Sequence, residues 1–470
     1  MVVSRTHFLG DCKNMKLILM ILAVSICGCN LRNPLKLKKP KRDAAASQVA
    51  DNSQSEAKET EELKPAEFDL LMKKVCENKL PDDIKGEAAG VIKGNTSFAL
   101  TLFEAIRGNE ENVAFSPFSV STALAMTYGG AQGDTAKEMK ETLKFPIEDP
   151  KIHDAFSYIL KDLNCNEDAA YELRIANGLW AQQDYKFSKT YFELLSEKYG
   201  APAVNVDFVG NVDGVRTLVN DWTAKATKDK IPEILPADGI TKMTRLVLTN
   251  ALYFKAPWLK EFNTEATQDG EFWVKGKDKA NVPLMRLKDT FTYFEQEGPD
   301  GFKAVELSYR ANSKPVATRL SFVVLLPAQN DGLQALQKTL DQDKLEKVIA
   351  GLGAKSINLT LPKFKFSSSF DLAKSLSSMG MKSAFTDAAD FSSMEQEGKK
   401  NLYLAKVLHQ VFFDLHEKGT EAAAATAAVA NYKTAAPSSI DVVIDHPFMF
   451  FVRDKSTNSI LFLGQVVDPR

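Results

Sequence analysis

The chain has 470 residues, 44% of them hydrophobic and 26% charged, which is the balance of a globular protein with a substantial core. Its formal net charge of −2 gives no sign of the strongly basic domain that nucleic-acid-binding proteins usually carry, so we expect no nucleic-acid partner. The 5 cysteines are too few for a protein held together by a disulfide framework.

A short apolar run occupies residues 17–26, directly after Met15 and Lys16. It is too short to cross a bilayer core of about 30 Å as a helix, and the small residues after it are typical of a secretory signal peptide. We therefore predict a cleaved signal over residues 1–28, secretion to the extracellular space and no stable membrane anchor. Cys27 and Cys29 leave open a lipoprotein-type cleavage site at the same place.

Residues 29–85 are predicted to be an N-terminal extension that is largely disordered. Residues 30–65 contain no aromatic side chain, so they cannot bury enough apolar surface to offset the entropy lost on ordering. A basic cluster at the start of this extension is a candidate site for a polyanion such as heparin, and a solvated tail is the alternative. The cluster consists of Arg32, Lys36, Lys38, Lys39, Lys41 and Arg42.

Dense apolar patterning begins near Phe68 and continues to the C-terminus. Helical spacing appears over residues 98–106 and 119–126, and strand-like runs follow. The strand-like runs are at residues 245–254, 320–326, 358–361 and 448–452. Because strands and helices do not alternate regularly and no linker interrupts them, we predict one α+β domain over residues 86–470.

Motifs for catalysis or metal binding are missing from the sequence. The 5 histidines are scattered without a His-Glu-x-x-His pair, and no Gly-x-Ser-x-Gly turn occurs. The glycines at residues 129–133 and 351–353 lack the remainder of a phosphate-binding loop. We therefore expect neither an enzyme nor a metal or cofactor site, and a hydrolase remains a rival only if distant residues assemble a nucleophile and a base.

Residues 417–439 read EKGTEAAAATAAVANYKTAAPSS, so small side chains dominate until Tyr432. Alone, this tract favours a helix or a flexible linker, because alanine is a strong helix former. Its meaning depends on the motifs elsewhere in the chain.

An ordered set of motifs is similar to those of the serpin family over about residues 88–470. The set comprises NVAFSPFSVSTALAM at 112–126, GGAQGDT at 129–135, LTNALYFKAPW at 248–258, LPKF at 361–364, LSSMGM at 376–381, AFTD at 384–387, EKGTEAAA at 417–424, HPF at 446–448 and FLGQV at 462–466. The resemblance implies the serpin fold, with three β-sheets, eight or nine helices and an exposed reactive centre loop at about 417–439.

The resemblance also implies a suicide-substrate mechanism in which the cleaved loop inserts into the main sheet and traps the acyl-enzyme. Side chains of a strand alternate between its two faces, so every second residue of the loop must enter the interior. The residues of the inward parity are all small: Thr420, Ala422, Ala424, Thr426, Ala428 and Ala430. The hinge residues implied are Glu417, Gly419, Thr420, Glu421, Ala422, Ala423 and Ala424, and Glu421 has the outward parity.

The usual spacing in the family places the cleaved bond between Lys433 and Thr434. Lysine before the bond favours a trypsin-like serine protease as partner. A shift of one residue would place Tyr432 there and favour a chymotrypsin-like protease instead. A carrier or storage serpin is the alternative without inhibition, although its hinge would usually contain bulky, charged or proline residues.

Further residues carry over from the resemblance. Ser116, Ser119, Asn250 and His409 match the shutter, a polar cluster under the main sheet. Trp258 and Lys363 match the breach, where insertion starts, and Lys363 would pair with Glu417. We expect a monomer.

The sequence also contains candidate sites for two kinds of modification. In an oxidising compartment Cys76 and Cys165 could form a disulfide, and two free thiols are the alternative. The sequons at Asn95 and Asn358 are candidates for N-glycosylation.

Overall fold

The computed structural model describes residues 66–108, 110–148, 150–165, 169–298, 300–311, 318–421 and 439–470. Within them the α-helices are α1 (Phe68–Glu77), α2 (Ile84–Ile106), α3 (Pro117–Tyr128), α4 (Gly133–Leu143), α5 (Lys151–Asn164), α6 (Lys189–Lys198), α7 (Val212–Ala226), α8 (Leu333–Thr339), α9 (Gln342–Gly351) and α10 (Ala373–Ser378). None of these helices has the length and apolar character needed to cross a membrane.

The strands of the same residues are β1 (Val113–Phe115), β2 (Glu172–Gln182), β3 (Ala203–Val206), β4 (Leu246–Pro257), β5 (Gln268–Val274), β6 (Asp278–Gln296), β7 (Phe302–Ser308), β8 (Leu320–Pro327), β9 (Gly353–Pro362), β10 (Phe364–Asp371), β11 (Lys406–His416), β12 (Gly419–Thr420), β13 (Ile440–Val443), β14 (Phe448–Asp454) and β15 (Ile460–Val466). Helices and strands are mixed without a repeated βαβ unit, as predicted for the α+β class.

The main sheet has the strand order β10-β11-β12-β4-β2-β3. Residues 406–411 of β11 pair in parallel with residues 247–252 of β4. Further along, β12 lies between these two strands and pairs antiparallel with both. The centre of the main sheet is therefore closed at one end and opened by two residues of β12 at the other.

The remaining strands follow the order β1-β15-β14-β8-β7-β6-β9-β13, with β5 also paired to β6. The long strand β6 joins two groups of partners: residues 284–293 pair with β9, and residues 292–296 pair with β7. Because β6 belongs to both groups, these strands form one nine-stranded sheet. The predicted α+β class is thus confirmed, and the described residues contain two hydrogen-bonded sheets and ten α-helices where the resemblance implied three sheets and eight or nine helices.

Aromatic side chains join the main sheet to its neighbour. The ring of Phe413 on β11 lies 4.9 Å from that of Phe450 on β14 and 5.5 Å from that of Phe462 on β15. Phe322 on β8 also packs on Phe450, at 5.3 Å. These buried rings supply apolar burial and favourable edge and offset contacts between the sheets.

Folded structure is present before the predicted boundary at residue 86. Helix α1 buries four apolar side chains, Phe68, Leu71, Met72 and Val75. Its last turn carries Cys76, whose sulfur is bonded to that of Cys165 just beyond α5. The average composition of residues 29–85 hid this short amphipathic helix, and the part of the extension from residue 66 onward is folded.

A buried ion pair lies between β7 and β14. The Nε and Nη2 atoms of Arg453 donate to Glu306 Oε1 at 2.9 and 2.8 Å, and Ser321 and Thr292 donate to the same carboxylate. Burial opposes ionisation of Glu306, but Arg453 and these hydroxyl groups outweigh burial and lower its pKa. Glu306 and Arg453 therefore form a charged pair whose members depend on each other.

We expect Glu306→Leu to lower the free energy of unfolding by about 3–5 kcal/mol, because it leaves the Arg453 charge buried without a partner. The double variant Glu306→Leu/Arg453→Met removes both charges and should recover most of that loss. Denaturant titration followed by tryptophan fluorescence measures both values. Equal losses in the single and double variants would contradict the dependence of one charge on the other.

Candidate functional site: hinge, breach and shutter

The described part of the hinge, residues 417–421, already contributes a strand to the main sheet. Thr420 pairs with Leu415 of β11 and Ala256 of β4, and its side chain is 1% exposed. Its hydroxyl lies 2.7 Å from the hydroxyl of Tyr309, which is also buried. The residue of inward parity nearest the start of the hinge therefore lies in the interior before any cleavage.

Glycine is required beside Thr420 because the neighbouring strand approaches closely. Gly419 has φ of +145°, and a Cβ atom there would lie 2.1 Å from the carbonyl oxygen of Ala256. Other residues rarely adopt this backbone conformation and would also collide with β4. Gly419 thus permits β12 to enter between β4 and β11.

Glu417 anchors the start of the hinge. Its carboxylate accepts hydrogen bonds from Lys363 Nζ at 3.1 Å and from Thr267 Oγ1 at 2.9 Å, and the residue is 5% exposed. Burial raises the pKa of Glu417, but its own backbone amide, Lys363 and Thr267 stabilise the ionised form more strongly, so the net shift is downward. The structure brings Glu417 and Lys363 together, as the family resemblance implies.

Trp258 connects this anchor to the inserted strand. Its indole Nε1 donates to the carbonyl of His416 at 2.9 Å, and its ring stacks on Tyr309 at 4.6 Å. Its backbone amide also donates to the carbonyl of Lys418 at 3.0 Å. Sequence comparison singled out Trp258 but missed Tyr309, because nothing in the sequence around Tyr309 indicates that it meets Thr420.

The chain leaves the sheet at Glu421. This residue has φ of +46°, its amide donates to the carbonyl of Asp414, and its carboxylate is 2.6 Å from Lys230 Nζ. Its side chain is only 14% exposed, so in this uncleaved hinge Lys230 covers it more than its outward parity suggested. The basic cluster of residues 32–42 lies outside the described residues. So do the other loop residues singled out above, namely Ala422, Ala423, Ala424, Thr426, Ala428, Ala430, Tyr432, Lys433 and Thr434.

The four predicted shutter residues form one buried hydrogen-bonded cluster. The amide nitrogen of Ser116 donates to His409 Nε2 at 3.0 Å, and that of Ser119 donates to Ser116 Oγ at 3.2 Å. Asn250 Nδ2 donates to Ser119 Oγ at 2.5 Å. Because His409 Nε2 accepts a hydrogen bond, Nδ1 holds the proton and donates to Asn250 Oδ1, 2.5 Å away.

The same cluster includes Asn177, which sequence comparison missed. Asn177 on β2, Asn250 on β4 and His409 on β11 are paired across the main sheet, and Asn250 Nδ2 also donates to Asn177 Oδ1. A strand inserted between β4 and β11 would separate Asn250 from His409. This buried hydrogen bond therefore joins β4 to β11 at the place where the sheet would have to open to accept a strand.

The structure corrects the prediction of glycosylation at Asn95. This residue is 3% exposed on α2, and its amide nitrogen donates to the carbonyl of Pro117 at 3.2 Å. A glycan has no room at a buried helical position. Asn358 lies half-buried on β9, and its amide donates to Ser439 and Asp441, so a glycan there would break contacts that position β13.

Comparison with known proteins assigns the chain to a family. Residues 93–469 match the family model described as Serpin (serine protease inhibitor), and the chain belongs to the serpin family. An uncharacterized serpin-like protein of Thermococcus kodakarensis is 33% identical over 458 residues, 97% of this chain and 98% of that protein.

Two further relatives have more informative names. The leukocyte elastase inhibitor of Bos taurus is 37% identical over 390 residues, 80% of this chain and 98% of that protein. The structure of human thyroxine-binding globulin complexed with thyroxine superposes with a TM-score of 0.73 at 27% identity, covering 82% of this chain and 99% of that chain. The family therefore includes an inhibitor and a thyroxine-binding protein among the relatives of this chain.

The shutter predicts a specific sensitivity to acid. Burial lowers the pKa of His409 to about 3, whereas the unfolded chain should titrate near 6.5. Between these values the unfolded state binds a proton that the folded state does not, so stability should fall as the pH drops from about 6.5 toward 3. The contribution of this one group is on the order of 4 kcal/mol over that range.

We expect His409→Gln to be less stable than the parent at pH 7.5 but to lose less further stability on acidification. Denaturant titration at several pH values measures the slope for both proteins. The other acid-sensitive groups are shared by the two proteins and cancel in the comparison. Identical slopes would contradict the assignment of a neutral, buried His409.

Proposed function

We propose that the chain is a secreted suicide-substrate inhibitor of trypsin-like serine proteases, cleaved between Lys433 and Thr434. The observation that carries the proposal is the position of β12, where Gly419 and Thr420 occupy the gap between β4 and β11. An uncleaved hinge that already starts the new strand is suited to rapid insertion. The 37% identity to a leukocyte elastase inhibitor supports an inhibitory role.

The proposed reaction begins as ordinary proteolysis. The protease serine attacks the carbonyl carbon of Lys433, the amine of Thr434 leaves, and an ester links Lys433 to the protease. Release of the Thr434 side frees the hinge side of the loop to move with the attached protease. Insertion beyond Thr420 then carries the protease away and distorts its active site before water hydrolyses the ester.

The energy for this step comes from strand pairing at the centre of the main sheet. An inserted residue can pair on both sides, and each backbone hydrogen bond contributes about 1 kcal/mol net. The whole loop therefore gains on the order of 10 kcal/mol before any packing contribution. The alanines and threonines of inward parity make this gain accessible, because none of them places a charge or a bulky group beneath the sheet.

Secretion is supported by the apolar run at residues 17–26 and by the Cys76–Cys165 disulfide, a bond typical of oxidising compartments. We also propose that the protein is a monomer and that the basic cluster of residues 32–42 binds a polyanion. The test for the polyanion is the rate of inhibition with and without heparin.

The position of the cleaved bond can be tested with trypsin. Mixing the protein with trypsin should give a covalent complex that survives a denaturing gel, and mass spectrometry should place the new terminus at Thr434. Lys433→Ala should slow complex formation by at least roughly 100-fold, because the aspartate of a trypsin-like pocket loses its partner. Lys433→Arg is the matched control and should retain most of the rate.

Two outcomes would contradict this proposal. A complex with chymotrypsin that depends on Tyr432 and not on Lys433 would move the cleaved bond by one residue. Cleavage by both proteases without any complex would indicate a non-inhibitory serpin, for which a carrier or storage role is the alternative.

Insertion of the loop into the main sheet can be tested at Thr420. Thr420→Arg should convert the inhibitor into a substrate, because the arginine would displace the hinge from its buried position in β12. Insertion would then have to bury an unpaired charge at a cost of several kcal/mol. Thr420→Val is the matched control, since it keeps the size of the side chain and loses only the contact with Tyr309. The measurement is the moles of inhibitor consumed for each mole of protease trapped. An unchanged ratio in Thr420→Arg would count against insertion of this segment.

A further inference from the structure

Helix α1 lies outside the residues matched by the family model, which begins at residue 93. Its apolar face packs on α6 and α5. At Gly200, which follows α6, a Cβ atom would lie 3.2 Å from side-chain atoms of both Met72 and Val75. The closeness of this contact indicates that α1 is packed tightly against the rest of the domain.

One side of α1 is fixed to α5. The disulfide joins Cys76 of α1 to Cys165 at the end of α5. Lys161 Nζ on α5 also donates to the carbonyl of Asn78, 2.9 Å away. Helix α5 in turn packs along α2.

The other side of α1 is fixed to the main sheet and to the helix that covers it. The guanidinium of Arg174 on β2 lies 3.2 Å from the carboxylate of Asp69 and 5.3 Å from the centre of the Phe68 ring. On α7, Trp222 Nε1 donates to the carbonyl of Ala66 at 3.2 Å. The segment from Ala66 to Asn78 therefore links α5 to β2 and α7.

This arrangement spans parts of the molecule that must shift when the main sheet expands. A new strand between β4 and β11 pushes β4, together with its neighbours β2 and β3, away from β11. Arg174 lies on β2 and would move with it, whereas α5, although it also contacts β2, packs mainly on α2. Expansion must then strain or break the contacts of α1 on one of its two sides.

We propose that α1, stapled by the Cys76–Cys165 disulfide, is a redox-sensitive clamp that resists expansion of the main sheet in the uncleaved protein. The proposal rests on loop insertion, the mechanism given under the proposed function. A dithiol such as dithiothreitol would release the staple: its two thiolates attack in turn, the protein disulfide takes two electrons and two protons to give two thiols, and the reagent becomes a cyclic disulfide. Both cysteines are partly exposed, so the reagent can reach them.

The alternative role for α1 is a structural brace, which stabilises the fold whether or not the main sheet is expanded. The two roles predict different effects on stability. A brace stabilises the uncleaved and the loop-cleaved protein equally. A clamp stabilises mainly the uncleaved protein, because the sheet is already expanded once the cleaved loop has inserted. The two forms of the same protein therefore separate these roles.

The test uses the full chain and the variant Cys76→Ser/Cys165→Ser. Uncleaved protein is incubated below its unfolding temperature, and conversion to a form that resists urea is followed on urea gels. We expect the variant, and the parent treated with dithiothreitol after folding, to convert roughly tenfold faster than the untreated parent, the change that about 1.4 kcal/mol off the barrier produces. After loop cleavage the thermal midpoints of parent and variant should differ much less than before cleavage.

Several controls keep the outcome interpretable. Met72→Ala weakens the buried face of α1 and should also speed conversion, whereas Leu70→Ala changes a side chain that is 58% exposed on the same helix and should not. Dithiothreitol should have no further effect on the conversion rate of the Cys76→Ser/Cys165→Ser variant. The parent treated after folding covers the case in which the variant folds poorly.

Equal conversion rates in all these proteins, or equal loss of stability before and after cleavage, would overturn the clamp. The urea gel does not require a target protease, so a failure to trap trypsin would refute the proposed function and leave this measurement valid. Conversely, normal trapping of trypsin with unchanged conversion rates would refute the clamp alone.

Discussion

The parallel pairing of β4 with β11 is the constraint on which the rest of the structure depends. These strands pair over residues 247–252 and 406–411, and beyond them β12 already separates the two. If the sheet accepts a strand at its centre, as proposed, the closed sheet is not at its lowest free energy, because additional backbone pairs become available when it opens. The closed sheet must therefore be held by contacts that disappear on opening, and the bond between His409 and Asn250 is one of them.

Polar groups suit this role because their contribution is lost abruptly. An apolar contact between two strands weakens gradually as they separate, whereas a buried donor or acceptor without a partner costs about 1–3 kcal/mol. In the shutter, every bond from Ser116 through His409 to Asn250 lies in the interior. Opening the sheet must supply new partners for these groups, so the cluster favours a sheet that is either closed or fully expanded.

The sequence predicted those parts of the site that depend on local pattern. The alternation of small residues indicates which segment can enter a sheet, and the order of the motifs identifies the strands around that segment. For these reasons Thr420, Glu417, Trp258 and the shutter residues could be named from the sequence. Tyr309, Asn177 and Lys230 could not, because each acts on a residue more than 70 positions away in the chain, and neither composition nor periodicity records such contacts.

Two local sequence patterns gave wrong predictions for the same reason. The sequon at Asn95 is a three-residue signal, but its acceptor lies on the buried face of α2. The charged composition of the extension concealed α1, whose four buried side chains occupy one face of a ten-residue helix. In both cases the surrounding tertiary structure decides which side of a helix is covered, and a short window of sequence does not contain that information.

The backbone of Glu421 defines where the uncleaved hinge stops. A left-handed conformation at a residue other than glycine costs roughly 1–2 kcal/mol, and the partly exposed ion pair with Lys230 offsets at most about 1 kcal/mol of it. Continuing the strand past Thr420 would return Glu421 to an extended conformation and relieve this strain. The chain nevertheless turns out of the sheet here, and β13, which follows the loop, is fixed by the pairing of its residues 440–443 with β9. Under the proposed function, cleavage would separate the hinge from β13, so the same strain that is tolerated before cleavage would favour insertion after it.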